Sequence, residues 1–531
     1  MPELVYDYVI VGGGSAGCVL ANRLSALPEV RVLLLEAGGR DSSPFIHMPA
    51  GIAKLVGNPR IDWRYYTEPE PELQGRRLYW PRGRVLGGSS SINAMCYTRG
   101  HRLDYEAWAA LGNEGWAYAD VLPYFRESED QARGANEYHG TGGPLHVEDL
   151  KFRNPLSTVF VEAGVSLGLA RNEDFNGPRQ EGVGFYQVTQ RDGRRCSAAA
   201  AYLRPAHGRT GLRILTHSRA TRVRFERDRA VAVEYRRGGA LHVARAEREI
   251  IVAAGAVASP QLLMLSGLGP ADKLRPHGIP VVADLTDVGA NLQDHIDFCT
   301  LVRCTQPITY DFTARQELAV GLRYLFTRSG PGVSNVAEAG GFVRTQLAPD
   351  ERPDVQLHFV PAQLDDHGRN RLPGHGYTVH ACVLRPRSRG YVLLRSSRPE
   401  DPPVIRARYL TAGPDLDILL EGVRISREIL NAAPFAPYRG AEIYPGEGAT
   451  TRQALEAIVR RKAETIYHPV GTCRMGSDPR AVVDSRLCVR GVRGLRVVDG
   501  SVMPELVGGN TNAPVIMIAE KAATWIAQGS R

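Results

Sequence analysis

The chain has 531 residues, of which 43% are hydrophobic and 23% are charged, and this ordinary balance excludes disordered and fibrous repeat proteins. Its net charge of +8 comes from 65 basic and 57 acidic residues, and the arginines are scattered rather than clustered. A nucleic-acid binder would gather them on one face, so that class is excluded too, while a weak attraction to anionic lipid or acidic partners stays open.

The sequence predicts a cytoplasmic protein. No apolar run reaches the roughly 20 residues that span a bilayer, and the N-terminus lacks the basic region and cleavage site of a secretory signal. The eight cysteines show neither a Cys-x-x-Cys pair nor another metal-ligand spacing. We therefore expect reduced thiols and no metal site.

A nucleotide-binding unit is predicted at the start of the chain. The apolar residues 8–11 read as a buried strand, residues 12–17 read Gly-Gly-Gly-Ser-Ala-Gly, and a helical stretch and a second strand ending in Glu36 follow. Gly12 permits a tight turn, Gly14 lets the backbone approach a pyrophosphate, and Gly17 lets helix and strand pack closely. Glu36 is placed to bind ribose hydroxyls. The fingerprint alone does not choose between NAD and FAD.

Residues 81–95 are the densest run of small residues, Pro-Arg-Gly-Arg-Val-Leu-Gly-Gly-Ser-Ser-Ser-Ile-Asn-Ala-Met. Such a run can bring backbone N–H groups together on an anion or a flat ring, and it can equally form a flexible loop.

These segments resemble the glucose–methanol–choline (GMC) oxidoreductases. Residues 81–95 and 255–269 are similar to the two signature patterns of that family, and residues 468–476, His-Pro-Val-Gly-Thr-Cys-Arg-Met-Gly, are similar to its C-terminal motif. Residues 46–49 and 334–342 carry a closer similarity to choline-dehydrogenase-like enzymes, especially membrane-associated aliphatic alcohol dehydrogenases that pass electrons to quinone.

The resemblance implies an α/β (α+β) two-domain fold, a Rossmann-like FAD-binding domain with an interleaved antiparallel-sheet substrate-binding domain. We assign residues 1–155, 211–298 and 466–531 to the FAD-binding domain, and residues 156–210 and 299–465 to the substrate-binding domain. Strand-like runs at 249–254 and 495–500 are expected to return to the nucleotide-binding sheet, and residues 355–360 to form a strand of the substrate side.

The resemblance also implies FAD as the cofactor. Some family members tether the flavin to a histidine at the position of Ile92, so we expect non-covalent FAD here. The residues implied to bind it are Gly12, Gly14, Ser15, Ala16, Gly17, Glu36, Ala37, Arg84, Leu86, Gly87, Gly88, Ser89, Asn93, Ala94, Met95, Val223, Asp499, Gly500, Asn512 and Ala513.

His468 and Asn512 are the candidate catalytic residues. Alcohol oxidation needs a base for the hydroxyl proton, and histidine has a suitable pKa. On the residues alone a structural histidine is the favoured reading of His468, and a plain N-cap of the C-terminal helix, with Pro514 in its first turn, is the favoured reading of Asn512. The resemblance implies that His468 is the general base and that Asn512 binds the substrate oxygen.

Substrate contacts are implied for Glu338 and Tyr467. In choline-oxidising relatives a carboxylate near this motif faces the trimethylammonium group, but a structural Glu338 is the alternative. Residues 315–328 predict an amphipathic helix with arginines on its polar face. It is either an ordinary packed helix or a peripheral contact to the inner face of the cytoplasmic membrane.

The predicted activity is oxidation of a primary alcohol to an aldehyde by hydride transfer to flavin N5, with electrons passed to quinone or another acceptor. A choline dehydrogenase, an oxygen-using alcohol oxidase and, from another reaction class, an FAD-containing lyase are the alternatives. A fatty acid decarboxylase is disfavoured because the motif at His468 is kept.

Overall fold

Two large β-sheets organise the chain in the computed structural model, which describes residues 4–370 and 372–529. The very start of the N-terminal segment considered for a secretory signal lies outside the described residues. Among the described helices, none is both long and apolar enough to cross a bilayer.

The first sheet carries the predicted nucleotide-binding unit. The strand before the glycines, the helix after them and the strand before Glu36 are all confirmed, at Leu4–Val11, Ser15–Leu24 and Val32–Leu35. The central strands pair in parallel. The apolar side chains of residues 8–11, 32–35 and 250–252 are buried, as the continuous hydrophobic runs predict. The spatial order of the strands is Leu212–Leu215, Val32–Leu35, Leu4–Val11, Ala240–Val252, Arg229–Arg237 and Arg219–Glu226, with Leu495–Val497 also beside Ala240–Val252.

The second sheet is antiparallel throughout the described pairings. The predicted strand Val355–Val360 lies near its centre. The spatial order is Arg439–Tyr444, Ile296–Cys304, Gly376–Val383, Val355–Val360, Ala339–Val343 and Gly182–Phe185, with Glu464–Thr465 also beside Ile296–Cys304.

Helices pack against both sheets: Ser15–Leu24 and Gly255–Leu265 contact the first, and Pro155–Ser166 and Asp415–Asn431 contact the second. The helices span Ser15–Leu24, Pro44–His47, Arg102–Ala110, Tyr118–Ser128, Pro155–Ser166, Gly255–Leu265, Ala271–Leu274, Ala314–Thr327, Asp415–Asn431, Arg452–Lys462 and Asn512–Gly529. Two-stranded pairs join Tyr65–Tyr66 with Tyr79–Trp80, Glu129–Gln131 with Leu145–Val147, Gln190–Arg191 with Arg194–Arg195, Leu268–Gly269 with Ala283–Asp284, and Tyr391–Leu393 with Val404–Arg406.

The strands of the two sheets alternate along the chain, which confirms the predicted two-domain fold with an interleaved antiparallel sheet. The first and last helices also meet: Ser15–Leu24 packs on Asn512–Gly529, and Arg23 Nε lies 2.7 Å from Glu520 Oε2. The segment boundaries assigned from the sequence stay a prediction.

Residues alternate between the two faces of the second sheet. Leu357 and Phe359 point into an apolar core shared with the helix Asp415–Asn431. Successive side chains of a strand point to opposite faces, so His358 lies on the other face, where it lines a cavity toward the first sheet. The two sheets therefore enclose the candidate site between them.

Candidate active site

The first glycine-rich turn forms an open cradle. Gly12 has φ +106°, and a Cβ there would lie 2.4 Å from the carbonyl oxygen of Ala253. A Cβ at Gly17 would lie 1.8 Å from the Gly12 oxygen, so both positions require glycine for close packing. At Gly14 a Cβ would meet only the Ala253 oxygen, at 4.0 Å. The helix Ser15–Leu24 begins there, and its free N–H groups suit an anion.

Glu36 closes one end of the cradle. Its carboxylate accepts hydrogen bonds from the backbone N–H groups of Gly13, at 2.8 Å, and Gly38, at 2.6 Å. Burial raises its pKa to about 7. Glu36 and Ala37 line the cavity.

Residues 81–95 form an ordered wall rather than a flexible loop. Gly88–Ser91 is a 3-10 turn, and a Cβ at Gly88, whose φ is +54°, would lie 2.7 Å from Gly14 Cα. The second glycine-rich run thus packs directly on the first, and both face one space.

That space is a cavity of about 1000 Å³, which runs from Glu36 to the second sheet. The predicted cofactor residues that line it are Gly12, Gly14, Ser15, Ala16, Glu36, Ala37, Gly88, Ser89, Asn93, Ala94, Met95, Asp499, Gly500 and Asn512. The cavity lining does not include the predicted residues Gly17, Arg84, Leu86, Gly87, Val223 and Ala513.

Val223, which the family resemblance implied to bind FAD, does not line the cavity. It lies in the strand Arg219–Glu226, and its N–H donates to Ser266 Oγ at 2.8 Å. Residues 218–220, at the start of that strand, line the cavity instead. The sequence analysis predicted neither this strand nor the end of it that lines the cavity.

His468 is buried at the opposite end of the cavity. Its Nδ1 lies 2.9 Å from His295 Nδ1, and its Nε2 lies 3.2 Å from Asn510 Nδ2. Burial, followed by the neighbouring His295 and His358, holds the pKa of His468 well below 6.5. The imidazole is therefore neutral at neutral pH.

His295 fixes the tautomer of His468. Its Nε2 lies 3.1 Å from the Leu384 carbonyl oxygen, which only accepts, so this nitrogen carries the proton. Burial lowers the pKa of His295 to about 3, so its Nδ1 is an acceptor. His468 must then donate from Nδ1, which leaves the lone pair on Nε2.

Asn510, not Asn512, contacts His468. Asn510 Oδ1 accepts hydrogen bonds from Gln356 Nε2, at 3.1 Å, and Thr98 Oγ1, at 3.2 Å. With the oxygen held this way, Nδ2 faces His468 Nε2 as a donor. Nothing in the sequence pattern separated two asparagines that lie two positions apart.

Asn512 is the first residue of the C-terminal helix, so the cap position falls on Thr511 and not on the predicted Asn512. The Thr511 carbonyl accepts from the Val515 N–H at 3.1 Å. The side chain of Asn512 accepts from Ser15 Oγ at 2.7 Å, which ties this helix to the first one.

Glu338 lies behind the cavity wall rather than in the lining. Its fully buried carboxylate accepts hydrogen bonds from the Asn154 N–H and from the hydroxyls of Ser157, Tyr310 and Ser334. The structure thus favours the structural alternative over a substrate contact.

Tyr467 does line the cavity, and its hydroxyl lies 2.6 Å from His367 Nδ1. Asp499, another predicted residue, accepts from the Gly255 N–H at 2.8 Å and from Ser259 Oγ at 2.6 Å. It therefore secures the start of the helix Gly255–Leu265 beside the cradle.

The structure brings together two groups of side chains that could ligate a metal ion. Each group comes from separate strands and loops, so no spacing in the sequence reveals it. Within the described residues, the ligand atoms of each group lie within 4.8 Å of one another. The groups are Asp297, Cys299 and His380, and Asp366, His367 and Glu464. In the first, His380 Nδ1 already lies 2.6 Å from Asp297 Oδ2, so a proton bridges two of the donors.

Two family models, both described as GMC oxidoreductase, match residues 6–297 and 386–519. The chain belongs to this family. It is therefore an enzyme, an oxidoreductase, as the resemblance implied.

Full-length relatives support the assignment. The chain is 50% identical to an alcohol dehydrogenase [acceptor] of Pseudomonas putida, over 98% of this chain and 96% of the relative. It is 48% identical to a mitochondrial choline dehydrogenase of Homo sapiens, over 98% of this chain and 89% of the relative. The crystal structure of pyridoxine 4-oxidase from Mesorbium loti aligns with a TM-score of 0.90 at 35% identity, over 98% of this chain and 99% of that one.

The residues present fit FAD, the cofactor that the family implies. Gly14 leaves room for a diphosphate at a helix start, Glu36 stands where a ribose would bind, and the cavity has the size of a large cofactor pocket.

Proposed function

We propose that this GMC oxidoreductase is an FAD-dependent dehydrogenase that oxidises a primary alcohol to an aldehyde. One observation carries the proposal: a buried, neutral His468 presents its Nε2 lone pair beside an amide donor, at the end of a cavity that fits FAD. A neutral imidazole is a general base, and an adjacent N–H donor holds an alcohol oxygen in place.

Bound FAD would supply the hydride acceptor that no amino-acid side chain provides. Gly12, Gly14, Ser89 and Glu36 would hold it, without a covalent bond because Ile92 offers no nucleophile. His468 Nε2 takes the hydroxyl proton of the substrate. Asn510 Nδ2 donates to the substrate oxygen, and Gln356 and Thr98 keep that amide from turning.

A neutral alcohol suits the cavity better than a cation. Apolar side chains of one cluster, which includes Ile466 and Tyr467 next to His468 in the chain, line part of the cavity: Val336, Val360, Ala362, Leu364 and Ile466. Glu338, the carboxylate considered for a trimethylammonium group, is engaged by four donors behind the wall. Choline oxidation remains the second candidate, because the human relative is a choline dehydrogenase at 48% identity.

Replacement of His468 tests the proposal. His468→Gln should lower kcat by roughly 10²- to 10⁴-fold, the usual contribution of a general base, while the bound flavin spectrum persists. His277→Gln, at a position outside the cavity lining, is the matched control and should keep full activity. Full turnover in His468→Gln would reject His468 as the base.

Anaerobic mixing with alcohols separates the reaction classes. Bleaching of the flavin by 1-alkanols but not by choline would support the neutral-alcohol dehydrogenase. Bleaching by choline alone would favour the second candidate, and an unbleached flavin with every alcohol would favour a lyase. Hydrogen peroxide formed without an added acceptor would identify an oxidase rather than a quinone-linked enzyme.

We also propose that the helix Ala314–Thr327 contacts an anionic membrane surface, where a quinone acceptor would be found. No residue of this helix is buried; Leu318, Leu322, Leu325 and Phe326 are 64%, 47%, 69% and 80% exposed. Arg315, Arg323 and Arg328 lie in or next to it, and its residues Glu317, Leu318 and Gly321 line the cavity mouth. An exposed apolar face with flanking arginines matches an interfacial helix.

Vesicle co-sedimentation tests this contact. The wild-type enzyme should bind vesicles that contain phosphatidylglycerol, and the double change of Leu325→Glu and Phe326→Glu should abolish binding without loss of activity toward a soluble dye. Leu241→Glu, at another exposed leucine, is the control. Equal sedimentation of all three proteins would contradict the proposal.

A further inference from the structure

Arg195 is a buried cation with only neutral partners. It is 2% exposed at the end of the strand Arg194–Arg195. Its Nε donates to the Ile46 carbonyl at 2.8 Å, and its Nη1 donates to the Ser90 carbonyl, the Asn93 carbonyl and Asn93 Oδ1. Among the described residues its buried Nη2 has no hydrogen-bond partner.

This arrangement is unusual, because a buried charge is costly unless an opposite charge accompanies it. Another buried arginine of the chain, Arg99, lies 2.6 Å from Glu129. Within the part of the chain that the structure describes, no such carboxylate accompanies Arg195, and burial alone lowers its pKa to about 9, which still leaves it charged at neutral pH. Arg195 thus holds a positive charge that none of the described residues balances.

The charge lies directly behind the cofactor cradle. Ser90 and Asn93, which Arg195 contacts, line the cavity on the wall that packs against Gly14. Asn93 Oδ1 is taken up by Arg195 Nη1 and the Met95 N–H, at 2.8 and 3.1 Å. The amide nitrogen is then the part of that side chain left to donate to a ligand.

We propose that Arg195 is a positioning residue that supplies the counter-charge for the FAD diphosphate and orients Asn93 toward it. The inference rests on the proposed function, since it requires FAD in this cavity. Through the backbone carbonyls it also holds residues 90–93 against the first glycine-rich turn. Loss of the counter-charge should weaken the binding of a diphosphate, whereas loss of the hydrogen bonds alone would not distinguish ADP from adenosine.

The experiment compares Arg195→Met with the wild type after FAD has been removed from the full-length protein. Without FAD, the melting temperature of the variant should change only slightly, because removal of an unbalanced buried charge offsets the loss of its hydrogen bonds to backbone carbonyls. It should bind FAD and ADP roughly 10- to 100-fold more weakly, since charge-assisted contacts to a diphosphate are lost. Adenosine, which lacks the diphosphate, should bind both proteins equally.

Arg194→Gln, next along the chain and only partly buried, is the matched control and should change none of these constants. If Arg195→Met does not fold, Arg195→Lys keeps the charge and should keep most of the ADP affinity. Any of three results would overturn the inference. Arg195→Met could bind ADP as tightly as the wild type, it could bind ADP and adenosine equally more weakly, or Arg195→Lys could lose ADP binding. A wild-type protein that takes up no FAD would instead reject the proposed function.

Discussion

His295 and His468 meet through their Nδ1 atoms, 2.9 Å apart, in the buried wall between the two sheets. Because the Leu384 carbonyl holds the proton of His295 on Nε2, one proton is left for the pair of Nδ1 atoms, and it belongs to His468. The lone pair of His468 thus points toward Asn510. A residue that the sequence motifs did not single out sets the protonation of the proposed base.

Replacement of His295 tests this relationship. His295→Leu removes the acceptor for the His468 Nδ1 proton, so kcat should fall roughly 10²-fold or more, as when a general base loses its correct tautomer. His295→Gln offers an amide oxygen to the same proton and should recover part of the rate. Steady-state kinetics on flavin-loaded protein measure both, and equal rates in the two variants would contradict the role.

The pH dependence should follow the lowered pKa of His468. A base works when deprotonated, and burial favours the neutral form, so the acid limb of kcat/KM should lie below pH 6.5 rather than above it. Rates measured from about pH 5 to pH 9 would reveal the limb. A midpoint above 7 that disappears in His468→Gln would show that the imidazole is charged at rest.

Asn510 and Asn512 should behave differently when each is changed to alanine. Asn510→Ala removes the donor beside His468 and should lower kcat about 10²- to 10³-fold, as for a lost oxyanion donor. Asn512→Ala removes only the contact with Ser15, so kcat should change less than about tenfold. The reverse order would restore the assignment first made from the sequence.

Glu338 should matter for stability and not for substrate choice. In Glu338→Gln the new amide group cannot accept from all four donors, so the free energy of unfolding should fall by about 1–3 kcal/mol. The ratio of kcat/KM for choline to that for a 1-alkanol should stay unchanged. Selective loss of choline turnover would return Glu338 to the substrate site.

The raised pKa of Glu464 predicts that the free energy of unfolding changes with pH. Burial, followed by Asp366, raises its pKa from 4.5 to about 8, so the folded state binds a proton that the unfolded state releases. By linkage, its contribution to stability is lost as the pH rises from about 4.5 to 8. In Glu464→Gln this loss of stability between about pH 4.5 and pH 8 should not occur.

Melting temperatures between pH 5 and pH 8 measure the effect, with exposed Glu447→Gln as the control. The melting temperature of Glu464→Gln minus that of the wild type should increase with pH. A constant difference would contradict the raised pKa.

The features that could be predicted from the sequence are those that depend on local backbone geometry. Gly12 and Gly17 are required because a Cβ would collide with neighbouring backbone, and such constraints leave a fixed spacing in the chain. The alternation of apolar residues likewise predicted Val355–Val360 as a strand.

The side-chain contacts of the site could not be predicted in this way. Asn510 was missed in favour of Asn512 because only tertiary packing decides which asparagine turns toward His468. Glu338 and His295 depend on partners far along the chain, such as Asn154 and Leu384, that no local pattern connects.

The pairing of the first and last helices also bears on how the enzyme is made. Ser15 and Arg23 emerge from the ribosome 497 residues before Asn512 and Glu520, to which they bind. The strand Leu495–Val497 joins its sheet equally late. The contacts between these two helices therefore form only after residue 520 has been synthesised, and the first sheet cannot be expressed as one fragment without strands of the second.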